Sequence, residues 1–195
     1  MKALLPGIAL LAAFGIAAAQ APAPSSAPPV APAAAPPVSP LKTGDVAPDF
    51  ALPYATQDSI ADDDLKLSAL VGKNNVVLAF YPADWSGGCT REVCTLRDNF
   101  AALGALHADV VAISGDYVNS HFEWAKFHHL PFRLASDHNH AVAKQYGSYN
   151  EATGHDRRTV FAIDKAGKVA YFDMAYSARD SVSFGKLQDA LKRLN

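Results

Sequence analysis

The stretch VVLAFYPADWSGGCTREVCTLRD (residues 76–98) decides the fold of this 195-residue chain. Its first six residues form a continuous apolar run of strand length, which is typical of a strand buried on both faces of a sheet. After the loop, apolar residues recur at steps of three, four and three, as they do on one stripe of an α-helix. These apolar positions are Val93, Leu96, Phe100 and Leu103. The stretch therefore predicts a buried strand that passes through a short loop into a helix.

Strands and helices alternate along the rest of the chain. Further strands are predicted at residues 108–114, 132–135, 158–164 and 169–174, and the last two are joined by a turn that contains Gly167. Helices are predicted at residues 119–129, 138–146 and 183–194. This order predicts an α/β domain with a thioredoxin-like fold, in which a mixed central sheet carries helices on both faces.

The first forty residues differ in composition from the rest. Residues 1–19 hold one charge, Lys2, then an apolar run that ends in three alanines, which is the layout of a cleavable secretory signal. Residues 20–40 contain only uncharged residues, mostly Ala and Pro, and predict an extended linker. The folded domain is therefore expected at residues 41–195 of a periplasmic or secreted protein. Membrane contact is expected only if the signal stays uncleaved as an anchor.

Charge and histidine spacing argue against two other classes of partner. The net charge is −2, and basic residues cluster only in pairs, so no nucleic-acid partner is expected. Seven histidines lie between positions 107 and 155, but their spacing matches no known metal site. We therefore expect neither a metal ion nor another cofactor.

Cys89 and Cys94 are the only cysteines. In a secreted protein such a pair first suggests a structural disulfide. Residues five apart on one helix are, however, rotated by roughly 140° and separated by ~7.5 Å along its axis, so they can bond only after part of the helix unwinds. Cys89 is expected in the first helical turn, where free N–H groups and the helix dipole stabilise a thiolate.

The loop also resembles a known active site. Pro82, Ser86 and Cys89 match the peroxiredoxin pattern of Pro, three residues, Thr or Ser, two residues and the peroxidatic cysteine. Residues 88–98 are similar to the Q-type branch, also called bacterioferritin comigratory protein, of the alkyl hydroperoxide reductase/thiol-specific antioxidant family. There the resolving cysteine lies five positions later, as Cys94 does. The resemblance covers nearly all of residues 42–194.

This resemblance implies a thiol peroxidase for hydrogen peroxide and organic hydroperoxides. Cys89 would be oxidised to a sulfenic acid, and Cys94 would resolve it as the intramolecular disulfide Cys89–Cys94. A thioredoxin-like dithiol would then reduce the disulfide by exchange. The resemblance further implies that the protein is a monomer.

The family's other functional residues have counterparts here. Arg158 would stabilise the Cys89 thiolate and hold the peroxide oxygens. Pro82 would shield the sulfur from water, and the Ser86 hydroxyl would exchange hydrogen bonds with peroxide and thiolate or act only as a helix cap. Glu92 would orient the arginine, although an acidic residue in the first helical turn is also explained by the helix dipole.

Three positions depart from the family's pattern: Ser86 replaces the commoner Thr, Trp85 replaces Phe and Gly87 replaces a typical Pro. Loss of that proline leaves the loop less restricted, so we expect easier unwinding and faster disulfide formation than in relatives. Arg157 is expected to point away from Arg158 in an extended segment and is given no role.

Two alternative functions stay open from the residues alone. A thioredoxin-like disulfide oxidoreductase would use Cys-x-x-Cys, whereas four residues separate these cysteines. A non-enzymatic binding module could carry the two cysteines as an inert structural disulfide. Such a module would need no Arg158, Pro82 or Ser86 around Cys89.

Overall fold

The computed structural model describes residues 41–177 and 179–195, so the predicted signal (1–19) and linker (20–40) lie outside the described residues. Ten strands are present in this part: β1 (Ala51–Leu52), β2 (Tyr54–Ala55), β3 (Leu65–Lys66), β4 (Asn75–Phe80), β5 (Ala108–Ser114), β6 (Arg133–Ser136), β7 (Tyr149–Asn150), β8 (His155–Asp156), β9 (Thr159–Ile163) and β10 (Val169–Asp173). The helices of the same ranges are α1 (Leu67–Leu70), α2 (Gly87–Asp98), α3 (Phe100–Ala105), α4 (Val118–His128), α5 (Ala141–Gln145) and α6 (Ser181–Lys192).

Six of these strands form a mixed sheet in the order β10-β9-β4-β5-β6-β2. The central strands β4, β5 and β6 are parallel, and β9 pairs antiparallel with β4 on the other side. Strands β9 and β10 form the predicted hairpin, whose turn contains Gly167 at a φ of +76°. The start of β9 lies opposite the end of β4, because Thr159 pairs with Phe80. This register brings the residue before Thr159 to the loop that follows β4.

The sheet buries both faces under helices. Alternate residues of β4 contribute to separate hydrophobic clusters, Val77 and Ala79 to one and Val76 and Leu78 to the other. Side chains of α2, α3, α4 and α6 fill the first cluster, and side chains of α1 and α5 fill the second. All six residues of the predicted apolar run, residues 76–81, are buried as expected, although the strand itself begins and ends one residue earlier. The predicted α/β class, with a mixed sheet between two helical layers, is confirmed.

Two helix predictions need correction. The helical stripe that begins in α2 is interrupted at Asn99, whose side-chain amide donates to the Thr95 carbonyl at 2.8 Å, and the chain resumes as α3. The helix expected from residue 138 begins only at Ala141, because the Asp137 carboxylate accepts hydrogen bonds from the backbone of the first turn. The stripe itself stays intact, since Leu103 of α3 is buried in the same cluster as Leu96 of α2.

None of the helices in the two described ranges is both long and apolar enough to cross a membrane.

Candidate active site

Ser86 is the N-cap of α2. Its hydroxyl oxygen accepts a hydrogen bond from the Cys89 backbone N–H at 3.4 Å, and its O–H donates to the Ala83 carbonyl at 3.2 Å. The Ser86 carbonyl accepts the first helical bond, from the Thr90 N–H at 2.9 Å. Ser86 therefore fixes the point where the loop becomes a helix, as a serine at this position does in general. The role predicted for its hydroxyl toward peroxide stays a prediction.

Cys89 lies in the first turn of α2 and is fully buried in the cluster between α2 and the sheet. The Arg158 Nη2 atom donates a hydrogen bond to the Cys89 Sγ at 3.0 Å. Arg158 stands immediately before β9, at the position that the pairing of Thr159 with Phe80 brings to the loop. The sulfur is therefore enclosed between the amino end of a helix and a guanidinium, which both favour negative charge.

Glu92 holds the other side of the guanidinium. The Arg158 Nη1 atom donates to the Glu92 Oε2 at 2.5 Å, and the Glu92 side chain is fully buried. Burial raises the pKa of Glu92 to about 7, although the charge of Arg158 opposes the rise. Burial alone would lower the pKa of Arg158, but Glu92 and Cys89 raise it above its ordinary value, so Arg158 remains a cation. The expected place of Glu92 in the first helical turn is wrong: it is the sixth residue of α2, so the helix dipole does not explain it, and it contacts the arginine directly.

The absence of a side chain at Gly88 leaves space for the Arg158 guanidinium. A Cβ atom at position 88 would lie 2.7 Å from the Arg158 Nη2, which is closer than real Cβ contacts come. At Gly87, the preceding residue, a Cβ would meet no atom within 4 Å. Only Gly88 is therefore required by the close approach of Arg158. Sequence reasoning did not find this requirement, because it depends on a residue seventy positions away.

Cys94 lies on the same helix and is partly exposed. Burial raises the pKa of its thiol, and the charge of Arg97 opposes this rise. Both cysteines are free thiols, and α2 is continuous from Gly87 to Asp98. On an unbroken helix five residues advance by ~7.5 Å, which exceeds the usual Cα separation of a disulfide.

Pro82 and Arg157 lie at the edges of this arrangement. Pro82 is half-buried and opens the loop between β4 and α2. Arg157 is exposed, and its backbone N–H donates to the Ser148 carbonyl at 2.6 Å. The structure therefore brings together Cys89, Glu92 and Arg158, and leaves Arg157 outside.

A second polar cluster was missed from the sequence. Asp84, in the loop, contacts Tyr81 before it and Ser120 and His121 on α4. In the sequence, Asp84 has no signal beyond being an acidic residue next to a buried strand. Among the described residues, no three His, Cys, Asp or Glu side chains lie together in a way suited to a metal ion.

The chain is similar to proteins of a known family. The model of the AhpC/TSA family matches residues 43–172. The chloroplastic peroxiredoxin Q of Triticum aestivum is 38% identical over 129 residues, which are 66% of this chain and 57% of the wheat protein, so the chain spans little more than half of that relative.

Solved structures give the same result. The crystal structure of the peroxidoxin BcpB from Mycobacterium tuberculosis has a TM-score of 0.69 and 32% identity, covering 80% of this chain and 99% of that one. A 2-Cys peroxiredoxin of Plasmodium vivax, 24% identical over 77% of this chain and 96% of that one, shares the fold with a TM-score of 0.68. The chain therefore belongs to the AhpC/TSA family, among the peroxiredoxins of the Q and bcp type.

Proposed function

We propose that this protein is a thiol-dependent peroxidase that reduces hydrogen peroxide and organic hydroperoxides. The observation that carries the proposal is the hydrogen bond from Arg158 Nη2 to Cys89 Sγ, formed in the first turn of α2. A buried cysteine with no chemical role would need neither the guanidinium nor the buried carboxylate of Glu92 that holds it. Membership of the AhpC/TSA family supports the same activity.

The first step is attack of the Cys89 thiolate on one peroxide oxygen. The S–O bond forms as the O–O bond breaks, and the departing oxygen takes up a proton and leaves as water or an alcohol. Arg158 is placed to donate to the oxygens, where negative charge develops. Ser86 holds Cys89 in the first turn through its cap, and Pro82 shields the sulfur at the start of the loop.

The second step resolves the Cys89 sulfenic acid. The Cys94 sulfur attacks the Cys89 sulfur, the S–S bond forms, the S–O bond breaks and water leaves. Since both cysteines lie on the unbroken helix α2, its first turns must unwind before the sulfurs can meet. Cys94 is partly exposed, which leaves its side of the helix open to the approach of an outside reductant.

The reductant is a thioredoxin-like dithiol, which returns both cysteines to thiols by exchange. The protein acts as a monomer outside the cytoplasm, in the periplasm or as a secreted protein. Its composition supports export, since residues 1–19 have the layout of a signal and residues 20–40 that of a linker. No cofactor or metal takes part in either step, because the two sulfurs carry the electrons.

Peroxide consumption by three proteins tests this function: the unmodified chain, Cys89→Ser and Cys94→Ser. With dithiothreitol as reductant, Cys89→Ser should lose turnover, whereas Cys94→Ser should keep it because the small thiol can reduce the sulfenic acid directly. With a thioredoxin system, both variants should be inactive. Full turnover by Cys89→Ser would rule out the peroxidatic role, and full thioredoxin-coupled turnover by Cys94→Ser would rule out the resolving role.

A further inference from the structure

Asp84 is a buried carboxylate at the centre of the loop between β4 and α2. Its oxygens accept hydrogen bonds from the Tyr81 hydroxyl at 2.8 Å, the Ser120 hydroxyl at 2.7 Å and the His121 Nδ1 at 3.0 Å. Its backbone N–H donates to the Asp116 Oδ2 at 2.8 Å. Because Ser120 and His121 belong to α4, the carboxylate ties the loop to the neighbouring helix.

The residue after Asp84 has a backbone conformation that needs such support. Trp85 has a φ of +57°, in the left-handed region of backbone conformation that residues other than glycine rarely adopt. Its indole N–H donates to the Ser120 hydroxyl oxygen at 3.3 Å, and its ring lies 5.8 Å from that of Phe127. Backbone of this kind persists only where surrounding contacts hold it. Ser120 therefore holds two consecutive loop residues, immediately before the cap Ser86.

We propose that Asp84 is a positioning residue for the peroxidase reaction. Together with Ser120 and His121 it holds the loop at residues 82–86 in place, so that Ser86 caps α2 and Cys89 stays beside Arg158. Because Ser86 caps α2, the same contacts favour the folded first turn over a form in which α2 is unwound from Gly87 onward. This inference rests on the proposed function.

The anchor has a chemical consequence for the sulfenic acid. Two reactions compete for it: Cys94 converts it to a disulfide with loss of water, and a second peroxide transfers one oxygen to the sulfur, giving a sulfinic acid and releasing water or an alcohol. The disulfide requires an unwound helix, whereas the second peroxide reacts at the folded site. An anchor that favours the folded loop therefore speeds the first oxidation and leaves the sulfenic acid more exposed to the second.

The variant Asp84→Asn tests the anchor, because it keeps the size of the side chain but loses one acceptor oxygen and the negative charge. Rapid mixing with hydrogen peroxide would follow Cys89 oxidation and disulfide formation as separate phases, and mass spectrometry would give the sulfinic fraction at excess peroxide. The control is Asp189→Asn, the same change at an exposed residue of α6.

We expect Asp84→Asn to oxidise Cys89 about tenfold more slowly, as loss of a hydrogen bond to a charged group predicts. Disulfide formation should be unchanged or faster, and the sulfinic fraction should fall. Asp189→Asn should match the unmodified protein. Equal slowing of both phases, no change in either, or a larger sulfinic fraction would overturn the proposal.

Ser120→Ala gives a second test that does not depend on how Asp84→Asn folds. It removes one donor to Asp84 and the acceptor of the Trp85 indole on a half-buried helical position, where alanine is well tolerated. The two phases should change in the same directions, and unchanged phases would overturn the anchor. If the unmodified protein itself showed no oxidation of Cys89 by peroxide, the proposed function would fail instead.

Discussion

The Arg158 Nη2 lies 3.0 Å from the Cys89 Sγ, although sixty-nine positions separate the two residues in the chain. Pairing of β9 with β4 places Arg158 at the end of β4, and the loop after β4 returns Cys89 to the same edge of the sheet. Cys89 thus lies on α2, which follows β4, and Arg158 lies just before β9, which pairs with β4. In the proposed mechanism Cys89 moves away when α2 unwinds, whereas the backbone of Arg158 is held beside Thr159 of the sheet.

Replacing the arginine should therefore slow the oxidation of Cys89 by peroxide without unfolding the protein. A lysine at 158 has no planar fork, so it cannot donate to Cys89 and Glu92 at once. We expect Arg158→Lys to lower the rate of Cys89 oxidation by a factor of about 100, as loss of a preorganised donor does in other active sites. Rapid-mixing kinetics would measure it. Arg157→Lys, at the exposed neighbouring position, is the control and should leave the rate unchanged.

Alanine substitutions at the two glycines before Cys89 should differ sharply in their effect on peroxide reduction. In Gly88→Ala the new methyl group would collide with the Arg158 Nη2, which can move because it is the end of a flexible side chain. The fold should therefore persist while the hydrogen bond to Cys89 is lost, and peroxide reduction should fall about tenfold or more. Gly87→Ala meets open space and should stay active. Equal activity of both variants would contradict the requirement for glycine at position 88.

The local half of this site could be predicted from the sequence. Ser86 before an apolar stripe predicts a helix start, and Cys89 three positions later falls in the first turn, as observed. Periodicity also predicts the stripe through Leu96 and Leu103 but not the break at Asn99, because that break is made by a side-chain amide rather than by an apolar residue.

The other half depends on contacts between distant parts of the chain. The need for glycine at 88 follows from the position of Arg158, and the burial of Asp84 follows from the packing of α4 beside the loop. Neither contact leaves a periodic or compositional signal in a single sequence. In the sequence, only the resemblance to the family indicates Arg158, and nothing indicates Asp84.

Glu92 should make folding stability depend on pH. Its pKa rises from an ordinary value of 4.5 to about 7 because it is buried, so the folded state holds its proton more tightly than the unfolded state does. Stability from this group is present below pH 4.5 and is lost as the pH rises through 7. Relative to Glu92→Gln, the unmodified protein should therefore lose up to about 3 kcal/mol of unfolding free energy across this range.

Denaturant unfolding of both proteins between pH 4 and 8, under reducing conditions, would measure the difference. A gap that stayed constant with pH, or that changed in the favour of the unmodified protein as the pH rose, would show that Glu92 is already ionised well below neutrality. Glu123→Gln, on the exposed face of α4, is the control for the same chemical change.

Restoring the family's proline at position 87 should slow resolution. Gly87 is the first residue of α2, where proline is well accepted because its missing N–H would have no helical partner. Ser86 already has the extended backbone that precedes proline, with φ −83° and ψ 139°, and a side chain at 87 meets open space. Gly87→Pro should therefore fold as the unmodified protein does. The proline should lower the conformational entropy of the unwound loop, which destabilises the unwound form by about 1 kcal/mol.

The expected result is a disulfide step about fivefold slower, with the rate of Cys89 oxidation unchanged, since only the unwound form is disfavoured. Rapid mixing with peroxide would separate the two steps, and the slower disulfide step should also leave more sulfinic acid at excess peroxide. Gly87→Ala restricts the backbone less, so its rate of disulfide formation should lie between those of the unmodified protein and Gly87→Pro. A disulfide rate equal to that of the unmodified protein would show that unwinding does not begin at Gly87, and that the missing proline has no part in the speed of resolution.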